Sequence, residues 1–112
     1  MAERFHAHEV AMEMAVAVRP ALEALRRLDR DLENQMRRAA ASVVLNIAEG
    51  ARRIGKDRLQ HYRIAAGSAA EVRSALGLAR AWGYVDGAAS EVVDALLDRV
   101  LAMLWRLTHG RG

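Results

Sequence analysis

The sequence predicts an all-α protein: an antiparallel up-down four-helix bundle that associates with copies of itself. Three observations carry this expectation. The 112 residues are rich in Ala, Leu and Val, with few aromatic side chains and a single proline, a balance that favours helix over sheet. Four amphipathic stretches of about twenty residues are separated by short links, which specifies antiparallel neighbours. The last two stretches each carry a second apolar seam, and uncovered apolar surface marks a partner face. The alternative is that a wide core consumes these seams.

Segment one spans residues 5–28. Val10, Met12, Met14, Val16 and Val18 alternate as in a strand, but the Ala and Glu between them, followed by Leu22, Leu25 and Leu28, argue for helix. Pro20 kinks or splits it. Around Asp29 and Asp31 the chain turns, with an Asp available as N-cap. Segment two, residues 32–53, places Met36, Ala40, Val43, Ile47, Ala51 and Ile54 on one buried stripe. Arg38, Ser42, Leu45, Glu49 and Arg52 lie opposite. Gly55 marks the next turn. Segment three, residues 56–82, carries Leu59, Tyr62, Ala66, Ala69, Arg73 and Leu76 on one stripe, and Ile64, Ser68, Glu71, Ala75 and Leu78 on another. Mid-helix glycine costs about 1 kcal/mol against Ala, so Gly67 and Gly77 predict close approach of another backbone. Gly83 ends this helix. Segment four, residues 88–108, places Val92, Leu96, Val100, Met103 and Leu107 on a stripe that Val93, Leu97, Leu101 and Leu104 widen. Residues 109–112 read as a frayed tail.

The length suits one domain over residues 1–112. There is no cysteine, which suits a reducing compartment, and no basic-then-apolar leader or membrane-length apolar run. The expected location is the cytoplasm. Net charge is only +3, but it is unevenly spread. Residues 1–25 hold two basic and four acidic side chains, residues 26–63 hold ten and five, and the remainder five and five. The positive field is therefore concentrated mid-chain.

No motif points to catalysis or to a cofactor. The bundle pattern for two irons needs two Glu-x-x-His pairs and two further Glu; here only Glu3 and His6 have that spacing. His8-Glu9 does not open an H-E-x-x-H string, so no metal is expected. The chain lacks a G-x-S-x-G elbow and a Gly-rich phosphate loop. Ser68 beside Glu71 has no His whose placement the sequence defends. Asn46 and Glu49 lie one turn apart. Two readings stay open for them: a local ion pair with Arg52 or Arg53, or a structural polar network linking helices two and three through Asn46, Glu49, Arg63, Ser68 and Glu71.

Arg37, Arg38, Arg52, Arg53, Lys56, Arg58 and Arg63 form the basic set, five of them bracketing the turn at Gly55. Repeated around an axis, such a patch raises phosphate affinity through counterion release. Tyr62 is the only ring nearby in sequence, so binding would be led by shape and charge, with little base readout. The competing reading is a solvated Arg-rich face.

The residues S-V-V-L-N-I-A-E-G-A-R-R (42–53) and I-A-A-G-S-A-A-E (64–71), with Q-M-R-R-A-A (35–40) upstream, resemble the signature of the four-helix bundle proteins related to those encoded by intervening sequences of bacterial 23S rRNA genes. The likeness is specific over residues 32–83. It implies an up-down bundle assembled as a homopentamer, with nucleic-acid binding suspected and no demonstrated activity. More distantly the chain is similar to the accessory variability protein of diversity-generating retroelements, a basic pentamer that partners a reverse transcriptase and RNA. Arg37, Arg38, Asn46, Glu49, Gly50, Arg53, Gly67, Ser68 and Glu71 match the motif. The R-L-D-R-D-L link (27–32) lacks the family's proline there, and Gly55 stands where a Ser or Thr cap is usual.

Together these readings predict a non-enzymatic oligomer that binds RNA or DNA through Arg37, Arg38, Arg52, Arg53, Lys56 and Arg63. The alternative is a scaffold or accessory subunit whose partner is another protein. A metal-dependent enzyme ranks last, and no membrane is involved.

Overall fold

Pro20 has no amide hydrogen to offer the carbonyl one turn back, yet the chain around it stays helical. In the computed structural model, which describes residues 2–110, α1 (Ala2–Ala17) and α2 (Arg19–Leu28) are interrupted only at Val18. Val18 keeps right-handed helical angles, φ −79° and ψ −11°. Its amide donates to Met14 (3.0 Å), and its carbonyl accepts from Leu22 (3.1 Å). The pair continues as one rod, so the five helices build the four rods expected.

α3 (Arg30–Arg52), α4 (Gly55–Ala81) and α5 (Gly87–His109) follow. Asp29 starts α3, its carboxylate accepting from the Leu32 amide at 3.0 Å; Asp86 does the same for Ala89 and α5. α4 has no side-chain cap. Arg53 and Ile54 are extended, and the corner closes at Gly55 with φ +60°, a conformation that favours glycine. The 27 residues of α4 span about 40 Å, which accounts for the 44 Å long axis of the molecule.

Each rod packs on two others, in the ring order α1–α3–α4–α5 and back to α1. Val10, Met14, Val18, Leu25, Met36, Val43, Ile47, Val72, Leu76, Leu97, Val100 and Leu104 fill the centre. Three registers differ from the sequence reading. Ile54 is 80% exposed rather than buried, because helical angles end at Arg52 and the stripe ends with them. On α4 the core row is Tyr62, Ala65, Ala69, Val72, Leu76 and Ala79; Ile64 and Leu78 face outward. On α5 the centre is Val93, Leu97, Val100 and Leu104, leaving Val92 exposed. The glycine expectation also changes. A Cβ at Gly67 would meet nothing within 4 Å, and one at Gly77 only the Arg80 guanidinium. The close approach is at Gly50 instead. α5 continues through His109, where a frayed tail was expected to begin; Arg111 and Gly112 lie outside the described residues.

Charged pairs join the rods at their edges. Arg73 binds Asp98, and Arg80 reaches both Asp94 and Ser90 at 2.9 Å, tying α4 to α5. Arg106 meets Glu3 at 2.7 Å and ties α5 to α1. Exposed pairs such as these add at most about 1 kcal/mol each, and serve mainly to hold the rods in register. No helix among the described residues is long and apolar enough to cross a membrane.

Candidate nucleic-acid interface

The corner between α3 and α4 collects the largest share of the basic set at one pole of the bundle. Its geometry follows from loose carbonyls at the end of α3. Arg58 reaches back from the first turn of α4: its Nε donates to the Gly50 carbonyl at 3.0 Å and a terminal nitrogen to Ala51 at 3.5 Å. Arg53 bridges the corner, with Nε on Glu49 at 2.8 Å and Nη1 on Asp57 at 2.6 Å. The Arg53 guanidinium holds the Glu49 carboxyl below its ordinary value. Both carboxylates in turn raise Arg53 further. These two arginines are therefore largely committed inside the protein.

Arg52 and Lys56 are not. Arg52 has a long contact to Glu49, 3.6 Å, and its side chain is 78% exposed. Lys56 is exposed and forms no ion pair among the described residues. Arg63 lies seven residues beyond Lys56 on α4, two turns along the same face and about 10 Å away, in the groove against α5. Arg38 and Arg37 sit fourteen and fifteen residues before Arg52, about 20 Å along α3. Arg37 pairs with Glu33 at 3.4 Å and donates to Asn34 at 2.6 Å. The six expected binding residues thus form a cluster of Arg52, Arg53 and Lys56, with Arg63 trailing into one groove and Arg37 and Arg38 set apart.

A polar seam runs beside the corner between α3 and α4. The Ser42 and Ser68 hydroxyls lie 2.7 Å apart. Asn46 donates to the Ser42 hydroxyl at 3.1 Å and carbonyl at 3.0 Å, and its own oxygen lies 3.0 Å from His61 Nδ1. Of the residues expected in a network, Asn46 and Ser68 are joined here through Ser42, with His61 attached to Asn46. Glu49 pairs with Arg52 and Arg53, and Arg63 faces the other groove. Glu71 lines a shallow cleft with Gln35, Arg38, Ser42 and Ser68, without a hydrogen bond to any of them.

Tyr62, the ring nearest in sequence, is fully buried against Gly50, and burial pushes its phenol above the ordinary value. Two exposed rings lie at this end, Phe5 on α1 and Trp105 on α5, and Trp105 is the one in the α4–α5 groove. It stacks on His109, centroids 4.4 Å apart and planes 8° from parallel, and shares the α4–α5 groove with Arg63. Forty-two residues separate Trp105 from Arg63, and no local pattern announces the pairing. Among the described residues no group of three or more His, Asp and Glu is placed to hold a metal.

Fold and surface together define a small all-helical bundle protein with a basic pole. The chain belongs to the family of 23S rRNA-intervening sequence proteins, whose family model matches residues 3–106. Among solved structures it is similar to a protein of unknown function from the S23 ribosomal protein family of Bacteroides thetaiotaomicron VPI-5482. The TM-score is 0.82 at 19% identity, over 92% of this chain and 98% of that one. At this identity the likeness speaks for the fold. No curated protein matches the chain.

Proposed function

We propose that this protein is a non-enzymatic, self-associating bundle that binds RNA through the basic pole. The observation that carries the reading is the exposed pair Arg52 and Lys56 beside a corner already stiffened by Arg53 and Arg58. Cations on a fixed backbone favour phosphate contact, because little order is lost on binding. The family's tie to ribosomal RNA genes supports RNA over other polyanions.

Two unlike side faces support self-association. One, between α1 and α5, exposes Met12 and Val16 beside Leu96, edged by Glu9 and Glu13. The other, outside the α3–α4 seam, exposes Leu45 and Ile64 and carries Arg38. Apolar centres with opposite rims are complementary, and joining unlike faces closes into a ring. Rods packed side by side would bring their poles to one end and pool the cations. A homopentamer is the expected ring.

Generic RNA titrated across a salt series is the test. Affinity should fall steeply as salt rises, and Arg52→Ala with Lys56→Ala should weaken it. Absence of binding at low salt, or indifference to salt, overturns the reading. Light scattering checks the assembly; a monomeric mass rejects it. The exposed α1–α5 face also favours a second reading, a scaffold for another protein. A partner retained from nuclease-treated lysate by a variant unable to bind RNA would support it.

A further inference from the structure

We infer that the groove between α4 and α5 is a base-stacking subsite for single-stranded RNA, with the Trp105 indole as its platform and Arg63 as its phosphate contact. The inference rests on the RNA-binding reading and sharpens it, because a basic pole alone does not distinguish single strands from duplexes.

The groove is lined by Arg63 and Ala66 from α4 and by Leu101, Leu104, Trp105 and His109 from α5. Its floor is apolar and its rim is cationic. Trp105 is 61% exposed, a cost for the largest apolar side chain that a partner covering it would recover. The indole is also held in place. His109 covers part of it in a parallel stack. The His109 Nδ1 donates to the Trp105 carbonyl at 3.0 Å, and the Thr108 hydroxyl lies 3.0 Å from the same nitrogen. A base would extend an existing stack on a ring that is already oriented.

The charges fit the same occupant. Arg63 forms no ion pair among the described residues and lies on the face of α4 that carries Lys56 two turns away. A strand whose base stacks on Trp105 can run its phosphates past Arg63 and Lys56 toward Arg52. A duplex buries its bases in its own stack and has no ring to offer the indole. Apolar floor, oriented aromatic and a line of cations are the combination used to hold single strands.

The experiment uses the full chain with Trp82→Phe, leaving Trp105 as the sole tryptophan. A single-stranded RNA of about ten nucleotides and its duplex are titrated at low salt. Trp105 fluorescence should be quenched by the single strand. Trp105→Ala should weaken single-strand binding about ten-fold or more, leave duplex binding and the salt slope unchanged, and be largely rescued by Trp105→Phe. Because the ring is exposed, circular dichroism of the Ala variant should match the parent. If Trp105→Ala leaves single-strand affinity within about two-fold while Arg52→Ala with Lys56→Ala lowers it, the subsite falls and the basic-pole reading stands. If neither RNA binds, both fall.

Discussion

The ring of Tyr62 occupies the space that a side chain at position 50 would need: a Cβ on Gly50 would come within 2.6 Å of the Tyr62 Cε1. α3 and α4 therefore meet through a bare backbone on one side and a buried aromatic on the other. Gly50→Ala should destabilise the protein by about 1–3 kcal/mol, since a packed ring has to move to admit one methyl group. Urea denaturation measures the loss. An unchanged midpoint would show that the ring swings aside freely.

The Tyr62 hydroxyl is buried without a hydrogen-bond partner among the described residues. Tyr62→Phe keeps the ring against Gly50 and removes this group. The variant should be as stable as the parent, or more stable by about 1 kcal/mol. A loss of more than about 1 kcal/mol in the same measurement would reveal a partner for the phenol.

Ser42 and Ser68 are each other's partner across the α3–α4 seam. Ser42→Ala and Ser68→Ala should each destabilise, and the double variant should cost less than the two combined, with a coupling of about 1 kcal/mol. A double-mutant cycle reads this directly. Additive effects would mean that each hydroxyl finds another partner when its own is removed.

Glu49 gives a pH signature. Its folded carboxyl titrates below its ordinary value of 4.5, chiefly because Arg53 donates to it. A carboxyl depressed on folding stabilises the protein above its unfolded pKa, and that contribution is lost as pH falls through the lower folded value. Glu49→Gln should therefore be less stable than the parent at pH about 7 and indistinguishable from it well below pH about 4. A stability gap that persists in acid would point to packing rather than charge.

Within the basic set, the structure ranks the residues. Arg52→Ala and Lys56→Ala should each lower the salt slope of RNA binding by about one. Arg53, already held by Glu49 and Asp57, should change the slope less and thermal stability more. Equal slopes for all three variants would show that the corner rearranges on binding.

The turns at Asp29 and Gly55 were legible from local chemistry, since both residues act through the backbone beside them. The interruption beside Pro20 was legible for the same reason. Register was harder. α4 is small and apolar around most of its circumference from Ala65 to Ala70, so two helical rows fit the pattern equally well, and the row through Ala65 is chosen by its neighbours. Gly67 reads as a close contact because glycine mid-helix is costly, but the helix tolerates it on an open face. At the candidate site, the crowding of Arg52, Arg53 and Lys56 follows from adjacency in sequence. So does the pairing of Glu49 with Arg52 and Arg53, three and four residues further on; the approach of Trp105 to Arg63 does not, because it depends on how separate rods align.

The two poles differ in slack. Beside Pro20, a cavity of about 160 Å³ opens among Ala21, Ala24, Tyr84 and Val85. At the other end, Gly50 has no room for one more carbon. Sequence drift is therefore cheap at the Pro20 end, where a bulkier side chain can grow into vacant volume. It is dear at the corner, where the smallest enlargement forces a ring to move.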